Sequence, residues 1–211
     1  MSALSHTQAA DILRQAFQLV QGRPPTSREL LFTQAIALLE TGYGRIGQFA
    51  KMADQGIFNW GALTKGRQQD GQCPAGSFPG QDTDAQGNVI DVCFFGFKSD
   101  LEAATSFVRT LTKTHWPNVI PAMNSGDSLD VATAMTQAPA YFVAPVETYA
   151  AAIASKLKVL GQALPDVVVP SLPSTSASTK KNVALVAIGG VSLVAASALV
   201  ISRVFFTKKA A

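Results

Sequence analysis

The feature that most constrains this chain is an uncharged apolar run near its C-terminus. Residues 183–202 read VALVAIGGVSLVAASALVIS, without a single charge, and the apolar character continues past Arg203 to Phe206. About 20 apolar residues that each rise ~1.5 Å span a bilayer core of about 30 Å. The alternative is a fully buried helix, but a core helix of this length normally carries a polar stripe. Residues 182–206 are therefore predicted to form one C-terminal transmembrane helix, followed by a basic tail at 207–211.

The charge of the chain is concentrated around this run. Five of the 17 Lys and Arg residues flank it, namely Lys180, Lys181, Arg203, Lys208 and Lys209. Because the whole chain has a net charge of +3, residues 1–179 carry a net charge of −2. Proteins that bind nucleic acid present clustered cations on their folded domains. The composition therefore argues against a nucleic-acid partner.

Two further segments bear on how the chain would reach a membrane. Residues 164–181 are rich in Pro, Ser and Thr without periodicity, which predicts a linker between a globular domain and the anchor. The N-terminus MSALSHTQAADILRQAF has neither a basic segment nor a continuous apolar one, so no cleavable signal peptide is expected there. The anchor would then insert late, or enter a virion or organelle membrane by another route.

Residues 1–163 are predicted to form one mainly helical domain. Apolar periodicity predicts helices over residues 7–21, 27–41, 99–114, 127–138 and 145–162, and a short helix after residue 46. The Gly, Gln and Asp content rises sharply after residue 64, and a turn at 86–88 precedes a β-prone run. This pattern is typical of a small β-hairpin.

The helix at 27–41 has clear start and stop signals. Thr26 and Glu29 have the spacing of a capping box, and Gly42 and Gly44 follow the last helical residue. Apolar residues lie on nearly all sides of this helix, which predicts a central position in the core. Its capping role gives Glu29 a structural reason to exist.

Glu40 lies at the other end of the same helix, after Leu38 and Leu39. The helix dipole is negative at this end, and burial disfavours an ionised carboxylate. Both effects favour the protonated form that a general acid needs. The alternative is a glutamate that simply points to solvent.

The chain has two cysteines, Cys73 and Cys93, at either end of a loop-rich excursion. This placement is typical of a disulfide that closes a loop, and a pair of free buried thiols is the alternative. A disulfide would place the domain in the periplasm, outside the cell or on a virion surface.

The order of several short motifs resembles the lysozyme superfamily, in particular its goose-type lysozyme, lytic transglycosylase and bacterial glucosaminidase branches. The motifs are Glu40-Thr41-Gly42, then Asn59-Trp60-Gly61, then the hairpin, then Phe97-Lys98-Ser99 leading into a helix. The resemblance covers roughly residues 27–160. It implies an α+β lysozyme-like fold: a helical bundle around a core helix with a small β-hairpin. The segments GLMQ and AYNxG of typical lytic transglycosylases are absent from the sequence.

This resemblance implies a set of site residues. Glu40 would be the general acid/base, Asn59 would line the glycan site, and Tyr141 is the nearest match to a tyrosine that lies close to the glutamate. Tyr43 and Trp60 would stack on sugar rings or, alternatively, pack under the turn. A second carboxylate is not singled out among Asp54, Asp70, Asp82 and Asp91, and a mechanism that uses the substrate's N-acetyl group or 6-hydroxyl would need none.

Other chemistries find little support in the sequence. The two histidines, His6 and His115, are far apart and have no nearby Cys or carboxylate cluster, so no metal site or Ser/His triad is expected. No cofactor is expected, because the phosphate-binding and dinucleotide-binding fingerprints are absent. Ser192 and Ala196 form a small-xxx-small pair through which the anchor would make oligomers.

The sequence thus predicts a membrane-anchored glycosidase that cleaves peptidoglycan glycan strands, either a lytic transglycosylase or a muramidase. Its domain would face the cell wall from a virion membrane or a bacterial envelope, with the lipid bilayer and virion proteins as partners. The alternative is a structural or glycan-binding protein of the same fold without turnover.

Overall fold

The computed structural model describes residues 4–163 except residues 85, 115–116, 138–140 and 143. It contains seven α-helices: α1 (His6–Gln21), α2 (Ser27–Thr41), α3 (Gly47–Asp54), α4 (Asp100–Arg109), α5 (Val119–Ser125), α6 (Ser128–Met135) and α7 (Val146–Ala163). A π-helical turn, Thr110–Thr114, continues α4. The strands are β1 (Thr64–Arg67), β2 (Ser77–Thr83) and β3 (Val89–Phe95). The expected mainly helical architecture with a small β region is confirmed.

Helix α2 is the central helix of the domain, as its sequence predicts. It packs against α1, α5 and α7, and every residue from Glu29 to Ala37 is buried. The capping box is present: the Thr26 hydroxyl accepts from the Glu29 amide, and the Glu29 carboxylate accepts from the Thr26 amide at 2.8 Å. Gly42 ends the helix in the left-handed conformation.

The β region is larger than the predicted hairpin. Its three antiparallel strands have the order β1-β3-β2, so β3 is central. A second, small core of Phe49, Met52, Ala62, Val92 and Phe94 fills the space between α3 and the sheet. The sheet and α3 thus form a lobe with its own apolar core, beside the larger core of the helical body.

Two of the predicted helices differ in detail. The segment predicted as one helix over 99–114 changes from α to π geometry at Thr110. The helix predicted over 127–138 is shorter, and the unpredicted α5 precedes it. The spacing of Ser99 and Glu102 also predicts a capping box at the start of α4. Ser99 does accept from the Glu102 amide, but the Glu102 carboxylate accepts from the Lys98 amide rather than from that of Ser99.

The predicted linker at 164–181, anchor at 182–206 and tail at 207–211 lie outside the described residues. Within the described part of the chain, no helix has the length and apolar character that crossing a membrane requires.

Candidate active site

The backbone directly after Glu40 adopts an unusual turn. Gly42, Tyr43 and Gly44 have φ angles of 55°, 59° and 74°, so three consecutive residues are left-handed. This conformation is strained for Tyr43, which has a Cβ atom. A Cβ on Gly44 would approach the Asn59 carbonyl oxygen to 3.2 Å, so the turn and the following loop lie against each other. The ETGYG sequence therefore fixes where α2 ends and how the next loop packs on it.

Glu40 lies at the point where α2 becomes accessible. Residues Glu29 to Ala37 are buried, whereas Leu38, Leu39 and Glu40 are only half-buried. The Tyr149 hydroxyl contacts the Glu40 Oε1 atom at 2.6 Å. Tyr149 is fully buried on α7, and its ring stacks on that of Phe142 with centroids 3.8 Å apart. A rigid aromatic group from another helix thus orients the carboxyl group.

Thr41 connects this helix end to the loop that follows α3. Its hydroxyl donates to the Trp60 carbonyl oxygen and accepts from the Gly44 amide, both at 2.8 Å. Thr41 is completely buried, so both hydrogen bonds are shielded from water. The residue after Glu40 therefore couples the α2 turn to residues 58–63.

Asn59 holds the shape of that loop. Its side-chain amide donates to the carbonyl oxygens of Leu63 at 2.8 Å and Phe95 at 3.0 Å, and its Oδ1 atom accepts from the Leu63 amide. The residue is 1% exposed. The polar atoms of the side chain are thus engaged with the protein backbone, and the expectation that Asn59 contacts glycan directly does not fit this geometry.

Trp60 is also buried and bound to other residues of the protein. It has no exposed area, and its indole N–H donates to Asp100 Oδ1 at 2.8 Å. The other Asp100 oxygen pairs with Arg45 at 2.8 Å, and the Arg45 guanidinium lies over the Phe58 ring. Stacking on a sugar needs an accessible ring face, so the packing alternative applies to Trp60.

The same holds for Tyr43, which is 2% exposed. Its ring lies 5.5 Å from that of Trp60, and its hydroxyl is 3.0 Å from His6 Nδ1. Burial raises the pKa of the Tyr43 phenol well above its ordinary value, against a smaller lowering by Gln34. Tyr43 therefore remains a neutral hydrogen-bonding group that ties α1 to the turn.

The Tyr149 hydroxyl contacts Glu40, and the sequence does not predict this contact. The sequence predicts Tyr141 as the tyrosine near Glu40. Tyr141 is 1% exposed, and its hydroxyl donates to the Gly61 carbonyl oxygen at 3.0 Å. A signal for Tyr149 exists in the sequence, because it lies on the buried face of α7 with Ile153 and Leu157. A buried phenol needs a polar partner, and α2 packs against this helix.

The other acids considered for the reaction differ in their surroundings. Asp54, Asp70 and Asp91 are exposed, and Asp91 accepts a hydrogen bond from Gln81. Asp82 is 4% exposed within β2. Among the described residues, no group of three or more His, Cys, Asp or Glu side chains is arranged to hold a metal ion.

The predicted disulfide between Cys73 and Cys93 is present, with the two Cα atoms 5.5 Å apart. It links the loop after β1 to the central strand β3. This confirms the oxidised pair and rules out the alternative of two free thiols. The bond closes a loop of the sheet lobe and so restricts its unfolded state.

Comparison with known proteins gives one structural match. A crystal structure of a peptidoglycan hydrolase mutant from Sphingomonas sp. A1 matches with a TM-score of 0.47 and 18% sequence identity. The alignment covers 77% of this chain and 99% of that one. No family model matches the chain, and no curated protein sequence does either. At this level of similarity, the match assigns no role to any residue of the chain.

Proposed function

We propose that this protein is a glycosidase that cleaves peptidoglycan glycan strands, with Glu40 as its general acid. The observation that carries the proposal is the Glu40 carboxyl group itself: it lies at the accessible end of a buried helix and is held at 2.6 Å by a buried tyrosine hydroxyl. The order of the motifs around it, which resembles the lysozyme superfamily, supports the same assignment.

Glycosidic cleavage requires an acid that protonates the leaving oxygen. The negative end of the α2 dipole disfavours a carboxylate at position 40 and so favours the protonated acid. The Tyr149 hydroxyl at Oε1 would fix the orientation of the carboxyl group that carries the proton. A fixed carboxyl orientation matters, since proton transfer needs hydrogen-bonding distance to the leaving oxygen.

The second half of the reaction would use a group of the substrate. Attack on C1 by its N-acetyl oxygen would form a cyclic intermediate that water then opens, as in a hydrolase. Attack on C1 by the 6-hydroxyl would give the anhydro product of a lytic transglycosylase. Either route needs only one protein carboxyl group, in keeping with a site built around Glu40. The buried residues Tyr43, Asn59, Trp60 and Tyr141 would act as its framework, through the contacts described above.

The apolar run at 182–206 would anchor this domain to a membrane, and the linker at 164–181 would give it reach toward the wall. The expected setting is a virion membrane or a bacterial envelope, with the domain facing peptidoglycan. The eighteen linker residues extend at most ~60 Å, which limits the enzyme to wall close to the membrane.

The test compares two glutamate substitutions in the full-length protein. Glu40→Gln removes the acid, whereas Glu147→Gln makes the same change at an exposed position on α7. Turbidity of purified peptidoglycan should fall with wild type and with Glu147→Gln, but not with Glu40→Gln. Equal clearing by all three would exclude Glu40 as the acid. Wall binding without clearing by wild type would favour the non-catalytic alternative.

A further inference from the structure

The two faces of the three-stranded sheet differ in what covers them. Successive side chains of a strand point to opposite faces. Along β3, Val92 and Phe94 are buried in the small core against α3. Phe95 therefore lies on the opposite face, where it is only half-buried. Part of the Phe95 ring is therefore accessible to a ligand on this face of the sheet.

Lys65 lies over this aromatic ring. Its ammonium nitrogen is 5.4 Å from the centroid of Phe95 and donates to the Ala75 carbonyl oxygen at 3.1 Å. The pairing of β1 with β3 shifts register between Thr64 and Gly66, so Lys65 occupies a β-bulge. Bulges redirect side chains and often lie beside functional sites.

Phe97 completes the arrangement. Its ring is nearly parallel to that of Phe95, with an angle of 18° and centroids 6.0 Å apart. Phe97 is also half-buried, and its inner side packs on the helical body. Lys65, Phe95 and Phe97 together form what we call the basic–aromatic patch, which bridges the sheet lobe and the body.

The patch is connected to the candidate active site by backbone hydrogen bonds. The Phe95 carbonyl oxygen accepts from Asn59, and Phe97 exchanges two hydrogen bonds with Phe58 at 2.9 and 3.1 Å. The same loop accepts the hydrogen bond from Thr41, the residue next to Glu40. These hydrogen bonds hold the patch and Glu40 in a fixed position relative to each other, so one polymer could contact both.

We infer that the basic–aromatic patch binds acidic stretches of the glycan polymer, outside the bond that is cleaved. Apolar faces of sugar rings contact the accessible parts of Phe95 and Phe97, and carboxylates of the peptide substituents pair with Lys65. Charge supports this ligand, because in the described part of the chain the Lys65 ammonium forms no ion pair. The inference rests on the proposed function for its substrate.

The test measures binding of the full-length Glu40→Gln protein to insoluble peptidoglycan and to chitin, which is uncharged. Adding Lys65→Gln should weaken peptidoglycan binding about fivefold, reduce its salt dependence and leave chitin binding unchanged. Adding Phe95→Leu should weaken binding to both polymers by about fivefold, whereas Phe95→Tyr should retain it. Matched controls are Lys51→Gln on α3 and Val89→Ser at the far end of β3, both exposed.

Each outcome tests whether the patch binds glycan, independently of whether Glu40 is the catalytic acid. Binding by Lys65→Gln and Phe95→Leu that equals binding by the two controls would overturn the patch, even if Glu40 proves to be the acid. Loss of binding in these variants would support the patch even if Glu40→Gln still clears the wall. If Phe95→Leu fails to fold, as judged by circular dichroism, peptidoglycan binding by Lys65→Gln and its salt dependence still decide the result.

Discussion

The two ends of α2 each carry a glutamate, and the two side chains lie in contrasting surroundings. Glu29 is fully buried in the first turn, where Arg23 pairs with it at 2.7 Å and Asn124 donates to it. Glu40 is half-buried in the last turn and meets the neutral hydroxyl of Tyr149. The helix dipole favours a carboxylate at the first position and disfavours it at the second. One helix thus holds a structural anion at one end and presents a candidate proton donor at the other.

Removing each glutamate in turn tests whether Glu40 serves catalysis and Glu29 serves stability, and it should have the largest effect. Glu40→Gln should lower the rate of wall clearing by about 10²–10⁴-fold, the usual contribution of a general acid. It should leave the melting temperature nearly unchanged, because the amide keeps the shape of the side chain. Glu29→Gln should lower the melting temperature while its folded fraction clears the wall. A stable, active Glu40→Gln protein would contradict the assignment.

Removing the partner of the structural anion should cost stability and spare chemistry. Arg23→Met leaves Glu29 buried without its cation, which should lower the free energy of unfolding by about 2 kcal/mol, since Asn124 and the Thr26 amide still bind the carboxylate. The matched control is Arg14→Met, which removes an exposed ion pair with Asp11 and should cost less than about 1 kcal/mol. Urea unfolding measures both. Equal costs would mean that the Glu29 pair contributes no more than a surface pair.

Tyr149→Phe tests the hydrogen bond to Glu40 at the C-terminal end of α2. It keeps the ring that stacks on Phe142 and removes only the hydroxyl on Glu40, so activity should fall about tenfold. Loss of a donor to the ionised carboxylate should also move the pH–rate profile toward higher pH. Tyr141→Phe, which removes the hydroxyl bound to the Gly61 carbonyl oxygen, should leave the profile in place. A shifted profile with Tyr141→Phe and an unshifted one with Tyr149→Phe would assign the role beside Glu40 to Tyr141.

The smallest expected effect is the pH dependence that comes from Glu29. Burial raises the pKa of this carboxyl group, but hydrogen bonds from Arg23, Asn124 and the Thr26 amide outweigh burial and hold the pKa below its ordinary value. A lowered pKa in the folded state contributes stability above the unfolded-state pKa, and this stability is lost as the pH falls through the folded-state pKa. Melting temperatures measured from about pH 6 to pH 3 should therefore drop more steeply for wild type than for Glu29→Gln. Parallel curves would contradict this role.

What the sequence could predict depended on how local each signal is. The bounds of α2 follow from Thr26, Glu29 and Gly42, which act within one helical turn of the ends they define. The sequence does not predict the π-helical turn at 110–114, nor strand β1, which adds a third strand to the predicted hairpin. A strand of four residues, with a bulge at Lys65, becomes a strand only by pairing with β3.

The candidate site shows the same division. The sequence predicts Glu40 as a site residue, because a buried helix and the glycine that ends it are both visible in the sequence. The sequence assigns Asn59 to the glycan and leaves Trp60 between sugar stacking and packing, whereas their polar atoms bind Asp100 and the backbone carbonyl groups of Leu63 and Phe95. Likewise, the choice between Tyr141 and Tyr149 depends on how α7 packs on α2, which no local pattern specifies.

The most direct test of the central claim is mass spectrometry of purified peptidoglycan after digestion by the full-length protein. If Glu40 protonates a glycosidic oxygen, wild type should release fragments with new sugar ends, and Glu40→Gln should release none. Anhydro ends would identify a lytic transglycosylase, and reducing ends would identify a hydrolase. Fragments cut only at peptide or amide bonds, or equal release of new sugar ends by Glu40→Gln, would contradict the account.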